Sequence, residues 1–305
     1  MSSAILSQAV IMLLLIIAGF ICYKTGVVSE NGSKELTRLV LTVVNPVVIF
    51  MAYQTEFRTE LIKGFLCSLF LSVIAYIIAI SVSYMLIRRK DNRETDIERF
   101  SCIYSNCAFM GIPLVQSIMG DEGVFYLTAF VTVFNILVWT HGVIQISGIK
   151  SFKSIIKAVT SPSVIAIAAG LICFSFRLRL PGLVTDSLEY IGAMNTPLAM
   201  IVAGSTIART NMIKALGNPR IYYVSAMTLL FIPLLIGLLF RMIPLNEASE
   251  LAVLIAMSAP AATMCTMQCL RYGKNSLYAS EIFAVTTLSS TITMPAIVFF
   301  YKLNT

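Results

Sequence analysis

The hydrophobic positions of this chain fall into long, nearly unbroken runs separated by short polar stretches. A run of about 20 apolar residues is long enough for a helix to cross the hydrocarbon core of a membrane. The first run extends too far for a signal peptide and lacks a basic leader, so we interpret it as the first span. The pattern predicts ten membrane-spanning helices, at residues 5–23, 35–54, 61–87, 99–119, 122–147, 154–176, 182–208, 220–243, 248–270 and 275–301.

The composition agrees with an all-α polytopic membrane protein. Of the 305 residues, 58% are hydrophobic and only 12% are charged, whereas about 25% are charged in a typical soluble domain. The net charge of +7 comes from short connections without interleaved aromatic residues, so no nucleic-acid partner is expected. The seven cysteines are scattered and mostly lie inside predicted spans, which argues against a disulfide framework.

The distribution of basic residues predicts the orientation in the bilayer. When the connections are assigned to alternating sides, one side carries 16 of the 22 lysines and arginines and the other carries 6. The positive-inside rule makes the richer side cytoplasmic. We therefore expect a multi-pass protein of the plasma (inner) membrane with both termini on the non-cytoplasmic side.

Two pairs of polar, helix-breaking elements recur along the chain. Asn45-Pro46 in span 2 corresponds to Asn195-Thr196-Pro197 in span 7, about 150 residues later. The stretch NCAFMGIP in span 4 corresponds to SAPAATMCTMQC in span 9, and each ends near a glycine turn. This recurrence predicts an internal repeat.

The number of spans in each repeat fixes their relative orientation. Residues 1–147 and residues 148–305 would hold five spans each, and an odd number means that the second half enters the membrane from the opposite side. We therefore predict two inverted five-helix repeats, an architecture of many secondary transporters.

Span 4 holds three residues that are unusual at the middle of a membrane helix: Asn106, Gly111 and Pro113. Pro113 lacks an amide donor and would free the carbonyl of Phe109 four residues earlier. Such a break is tolerated only where protein or a water-filled cavity covers it. Because Pro260 interrupts the corresponding span 9, the pair of breaks predicts a ligand site between the halves.

The stretches NPVVIF, NCAFMGIPL, GDEGVFY and SEIFAVTTLSSTITMP resemble the auxin efflux carrier family, and the similarity covers essentially the whole chain. The resemblance implies that broken helices 4 and 9 cross at mid-membrane. It also implies a scaffold and a transport subdomain, each formed from both repeats, which move by an elevator-like shift. Members of the family are commonly dimers, so a homodimer is expected.

The resemblance also assigns residues to the expected site. Asn106 matches the family's crossover asparagine, and Pro113 and Pro260 are candidate crossover prolines. Asn135 is a candidate substrate amide, at a position where the family has a glutamine. A small organic anion is the expected substrate, and free amides at half-helix N-termini independently suit a carboxylate. Further residues interpreted as supports of the crossover are Asn45, Pro46, Asn195, Pro197 and Gly111.

Two titratable residues inside predicted spans have two interpretations each. Glu281 could bind a coupling proton, although an interfacial position or pairing with Arg271 or Lys274 is the favoured interpretation. His141, the single histidine, could titrate near neutral pH and gate transport. The favoured interpretation is that it is hydrogen-bonded within the bundle.

The cluster of Met264, Cys265, Met267 and Cys269 offers soft ligands for copper(I). We interpret it instead as flexible packing at the crossover, and expect no metal and no cofactor.

These features predict a secondary carrier or uniporter for a carboxylate, auxin-like or dicarboxylate anion. No nucleotide-binding GxxxxGK[ST] motif is present, and neither HExxH nor GxSxG points to an enzyme. The alternatives are a cation/proton antiporter of similar fold, which would need core carboxylates, and a membrane sensor without transport activity.

Overall fold

The computed structural model describes residues 2–88, 94–149, 156, 160–242 and 245–303. This part of the chain is helical, and its β-structure is confined to one isolated bridge. The basic residues Arg89, Lys90, Arg93, Lys150, Lys153 and Lys157, which entered the orientation argument, lie outside the described residues. In the first half the helices are α1 (Ser2–Lys24), α2 (Glu30–Leu39), α3 (Asn45–Met51), α4 (Thr59–Leu86), α5 (Thr95–Ile103), α6 (Ile112–Leu137) and α7 (Val143–Ser147).

The second half contains helices of similar lengths. They are α8 (Pro162–Ser175), α9 (Gly182–Ala193), α10 (Asn195–Arg209), α11 (Met212–Leu216), α12 (Pro219–Ala226), α13 (Ile232–Met242), α14 (Glu247–Ser258), α15 (Thr263–Arg271) and α16 (Ser276–Leu303). Several consecutive helices are joined by π-helical turns of five residues, at Val40–Val44, Cys107–Gly111, Val138–Gly142 and Met227–Phe231.

Six helical segments in the described residues are long and apolar enough to cross a membrane. Their bounds are Ser7–Lys24, Thr59–Leu86, Cys107–Ser147, Gly182–Arg209, Pro219–Met242 and Ser276–Lys302. The shorter apolar helix α8, the segments of predicted spans 2 and 9 and the first part of predicted span 4 fall outside this set, while the rest of span 4 lies in Cys107–Ser147. The protein is thus a multi-pass helical membrane protein, and the count of ten spans stays a prediction.

The segment Cys107–Ser147 is not one straight helix. Gly120 inside it has φ 64° and ψ −156°, a conformation that only glycine adopts readily. The sequence places a turn between predicted spans 4 and 5 at this glycine, and the sharp kink lies there.

Packing concentrates in two sets of helices. α1 packs closely along α10, and α3 packs on α8 and α9. In the second set, α4, α6 and α14 pack against one another, while α16 packs against α12 and α15. The two sets meet where α1 and α10 contact α16 and the π-turn before α6.

Candidate functional site

Two helices are interrupted at the centre of the fold, and their broken segments cross each other. α5 ends at Ile103 and α14 ends at Ser258, and the backbone after each helix is extended. Asn106 N donates to Pro260 O at 2.6 Å, and Ala262 N donates to Tyr104 O at 2.9 Å. The two segments therefore satisfy part of each other's backbone hydrogen bonds, which a lipid environment cannot do.

The position of the second break follows from Pro260. Proline has no amide hydrogen to donate, and it disfavours a helical conformation at the preceding residue. Ala259 accordingly has φ −65° and ψ 153°. The role predicted for Pro260 as a breaking residue thus agrees with its place in the crossing.

The first break lies elsewhere than the sequence suggests. Pro113 is in the first turn of α6, and the interruption is at Tyr104–Asn106, so the expectation that Pro113 itself breaks span 4 is wrong. The π-helical turn Cys107–Gly111 precedes α6, and Ile112 N donates to Cys107 O across it. This wider turn accommodates the proline without ending the helix, because its hydrogen bonds skip one more residue. Gly111 packs beside the α14 backbone, since a Cβ there would lie 3.8 Å from Ala256 Cα.

Beyond the crossing, two half-helices begin without side-chain caps. Asn106 precedes the π-turn that leads into α6, and Ala262 precedes α15. Neither residue accepts a hydrogen bond from the following amides through its side chain. Uncapped amides at a helix N-terminus form a site of positive potential that suits an anion.

Polar side chains around the crossing are buried and keep free hydrogen-bonding capacity. Ser105 Oγ, Asn106 Nδ2 and Thr287 Oγ1 have no hydrogen-bond partner among the described residues. The neighbouring Thr286 Oγ1 accepts a 3.3 Å hydrogen bond from Ala261 N, which places this part of α16 at the crossing. Buried polar atoms are normally satisfied, so such a group is typical of a ligand or water site. The sequence analysis did not identify Thr286 and Thr287, because small polar residues in membrane helices commonly serve helix packing.

The paired asparagines of spans 2 and 7 also lie in the interior. Asn45 begins α3 and Asn195 begins α10, and each is at most 1% exposed. Neither side-chain amide has a hydrogen-bond partner among the described residues. α10 packs on the π-turn that precedes Asn45, so the structure brings the two spans together. Pro46 and Pro197 follow the asparagines within the first turns of α3 and α10.

The other predicted residues divide between the crossing and its surroundings. Asn135 is buried, and its Nδ2 donates to Val131 O at 2.8 Å on the same helix. His141 Nδ1 is 2.8 Å from Tyr104 Oη, so the histidine is hydrogen-bonded within the bundle as predicted, and its partner belongs to the crossing segment. Glu281 is 4% exposed and lies on α16.

Two further acids are buried, although their positions in the sequence do not indicate it. Glu98 is fully buried and accepts from Arg220 Nη2 at 2.6 Å, Arg220 Nε at 2.9 Å and Tyr278 Oη at 3.0 Å. Glu250 is 4% exposed and accepts from Tyr301 Oη and from Leu245 N. Burial therefore extends to acids at the ends of predicted spans, besides Glu281. Both acids lie near the ends of predicted spans, where the sequence does not distinguish a buried carboxylate from an exposed one.

A cavity of about 820 Å³ lies between α1, α2, α10 and α11 on one side and α15 and α16 on the other. We call it the chamber. It extends to Thr263, the first residue of α15, and its charged lining residues are Glu30, Lys34, Arg209, Lys214 and Glu281. Glu30 is 2.8 Å from Lys34 Nζ and 3.7 Å from Arg209 Nη1, and these cations lower its pKa. The chamber thus has three basic and two acidic side chains in its lining, and it reaches the N-terminal end of α15.

A smaller cavity of about 340 Å³ lies at the opposite end of the bundle. It is lined by the connection that follows α3, which includes Glu56, by the end of α8, and by Arg177 and Arg179 of the connection that follows α8. Basic residues therefore border both cavities.

Broken helices that cross at the centre of an apolar bundle, with polar cavities at both ends, define a membrane protein of the transporter class. The chain belongs to the membrane transport protein family, whose model matches residues 4–151 and 143–298. This match confirms the family predicted from the motifs.

The similar proteins carry names of the same kind. An uncharacterized transporter of Methanocaldococcus jannaschii is 26% identical over 297 residues, covering 92% of this chain and 93% of that protein. An uncharacterized transporter of Methanothermobacter thermautotrophicus is 24% identical over 294 residues, covering 93% of this chain and 94% of that protein.

Proposed function

We propose that this protein is a secondary carrier or uniporter for a small organic anion, with the binding site at the crossing of the broken helices. The observation that carries the proposal is the crossing at Tyr104–Asn106 and Ala259–Ala262, where uncapped half-helices begin beside buried polar atoms without partners. Asn106 Nδ2 can donate to a carboxylate there, and the amides of the half-helices add positive potential.

The charges around the access route favour an anion. The chamber is lined by three basic and two acidic side chains, and it borders the beginning of α15. Basic side chains that line a low-dielectric cavity raise the local concentration of anions. A carboxylate or dicarboxylate is therefore the proposed substrate class.

The arrangement of the helices supports an elevator-type mechanism. The chamber lies where α10 faces α15 and α16, that is, where the two packed sets of helices meet. In our proposal the set containing the crossing moves against the set containing α1 and α10, and exposes the site to each side in turn. The two inverted repeats, the ten spans, the dimer and the non-cytoplasmic termini belong to this proposal.

A cation/proton antiporter of similar fold is the competing proposal, because the structure contains more buried carboxylates than the sequence suggested. Two of them are already engaged, Glu98 by Arg220 and Tyr278, and Glu250 by Tyr301 and the Leu245 amide. An acid that is held by such partners is a poor site for a transported cation. Anion transport remains the better supported function.

The test is uptake of radiolabelled carboxylates by purified protein in proteoliposomes, with malonate, malate, lactate and indole-3-acetate, each with and without a proton or sodium gradient. Thermal unfolding of the same preparation in each anion gives an independent measure of binding, since a ligand stabilises the folded state to which it binds. An anion that stabilises the protein and accumulates in the vesicles supports the proposal. If no anion is taken up or raises the unfolding temperature, and the protein responds to sodium or pH alone, the result favours the antiporter.

Asn106→Ala tests the location of the site. We expect at least a tenfold loss of anion affinity, because removing a donor to a charged group costs about 1.5–3 kcal/mol. The matched control is Asn31→Ala on the exposed surface of α2, which should bind as the unmodified protein does. Unchanged affinity in a folded Asn106→Ala protein would place the site elsewhere.

A further inference from the structure

Glu281 differs from the other buried acids because it faces the chamber without a direct partner. It is 4% exposed, and among the described residues the structure gives it neither a hydrogen bond nor a salt bridge within 4.0 Å. Glu98 and Glu250, by contrast, each accept hydrogen bonds from two other residues. A buried carboxylate without such partners is costly to keep ionised.

The other charges of the chamber leave one cation available to Glu281. Lys34 and Arg209 both lie close to Glu30, at 2.8 and 3.7 Å. Lys214, on α11, lines the chamber together with Glu281, and among the described residues it forms no ion pair within 4.0 Å. Lys214 and Glu281 are therefore the two chamber charges that are not held in an ion pair. Protonation of Glu281 or binding of an anion near Lys214 would change the net charge of these two side chains.

The charged residues of α5, α12, α13 and α14 that lie near α16 contact one another or tyrosines of α16. Arg220 of α12 and Glu98 of α5 form an ion pair joined by Tyr278, while Glu250 of α14 and Arg241 of α13 contact Tyr301 and its neighbours at the far end of α16. Tyr23 of α1 is the remaining titratable side chain of the chamber lining. Arg271 of α15 lies 5.6 Å from the ring centroid of Tyr272 and, among the described residues, forms no ion pair with Glu281. The charged side chains that share a cavity with Glu281 are those of the chamber.

We infer that Glu281 and Lys214 form a proton-linked pair in the chamber beside the crossing, in which protonation of Glu281 leaves the charge of Lys214 free to attract the transported anion towards its site. This inference rests on the proposed function. With Glu281 ionised, its charge offsets that of Lys214, and an incoming carboxylate meets no net attraction from the pair. With Glu281 protonated, the lysine charge is available.

The consequence is thermodynamic coupling between proton and anion. Because proton binding strengthens anion binding, anion binding must strengthen proton binding by the same factor. Glu281 lies on the face of the chamber formed by the moving set of helices in our proposal, so the proton and the anion can cross together. The class of transport is therefore proton–anion symport.

The experiment measures anion affinity as a function of pH for the carboxylate that the uptake screen identifies. In the unmodified protein the affinity should rise at least tenfold as the pH falls through the titration of Glu281, a typical size for coupling between two sites. Glu281→Gln, which is permanently neutral, should bind at every pH as the unmodified protein does at low pH. Its uptake should no longer respond to a proton gradient.

Three further variants make the test specific. Glu281→Asp keeps the titrating carboxyl group and should retain the pH dependence, and Lys214→Gln should weaken anion binding at low pH. Glu30→Gln removes the other chamber acid, which is exposed and paired with Lys34, and should retain the pH dependence.

The outcomes separate this inference from the proposed function. If the unmodified protein binds no anion, both fail. If it transports an anion and Glu281→Gln keeps the full pH dependence, only the coupling site is wrong. Loss of the dependence in His141→Gln together with its retention in Glu281→Gln would assign the proton to the histidine beside Tyr104 and overturn the inference.

Discussion

The two faces of helix α10 pack in opposite ways. Towards α1 the backbones nearly touch, because a Cβ at Gly204 would overlap Ile16 O and lie 2.7 Å from Phe20 N. Towards α15 and α16 the same helix borders the chamber, through residues such as Thr206 and Arg209. Close backbone contact through glycine leaves no room for sliding, whereas a polar cavity does. In the proposed elevator-type mechanism, α1 and α10 therefore remain together and the relative movement occurs at the chamber.

Gly204→Val is expected to have the largest effect, because it tests the close contact between α10 and α1. We expect a loss of about 3 kcal/mol or more in the free energy of unfolding, because the new side chain meets backbone atoms that cannot move aside separately. Size-exclusion profiles of the solubilised protein and unfolding in mixed detergent micelles measure the effect. Gly237→Ala is the control, since its Cβ would meet nothing closer than 3.5 Å. A normally folded Gly204→Val protein would contradict the close contact of α1 with α10.

A second test compares two buried acids, one paired within the bundle and one facing the chamber. Glu98→Gln should reduce the free energy of unfolding by about 3 kcal/mol, near the low end for a broken buried pair, because Arg220 keeps 25% of its side chain exposed. Glu281→Gln should change it by less than about 1 kcal/mol, since no direct partner is lost. Equal losses in the two variants would show that Glu281 is held as firmly as Glu98.

The smallest expected effect uses neighbouring residues on the two faces of α10. Ser205 Oγ donates to Gly19 O of α1 at 3.3 Å, and also to Ile201 O at 2.9 Å. Among the described residues, Thr206 Oγ1 donates within its own helix alone, to Val202 O at 2.9 Å. Ser205→Ala should cost about 0.5–1 kcal/mol, and Thr206→Ala less. The same unfolding assay measures both, and a larger loss for Thr206→Ala would reverse the assignment of the fixed face.

Much of the architecture was predictable because long apolar runs and glycine turns act locally. The sequence predicted the bounds of α4 and α16 to within a few residues and placed the turn at Gly120. The family resemblance proposed Asn106 and Pro260 for the crossing, and the structure joins them by a backbone hydrogen bond. Where the first break falls was not predictable from Pro113, since a π-helical turn can absorb a proline and the sequence alone does not distinguish it from a break.

The site was predicted less completely. Ser105, Thr286 and Thr287 look like ordinary small polar residues of membrane helices, and only their positions at the crossing distinguish them. The partnership of Glu98 with Arg220 joins residues 122 positions apart, and no periodicity within either segment marks it.

The amino-acid sequence alone is enough to predict a helical membrane protein, because bilayer thickness and the need to satisfy backbone hydrogen bonds permit few other interpretations of such runs. Its motifs add the transport family. Which polar groups meet, and which remain without partners among the described residues, depends on the three-dimensional packing of the helices. Those relations depend on contacts between helices far apart in the chain, as in the pairing of Tyr104–Asn106 with Ala259–Ala262. The different environments of Glu98 and Glu281 also result from contacts between distant helices. The charges and hydrogen-bond donors that folding places around a carboxylate decide whether it is ionised.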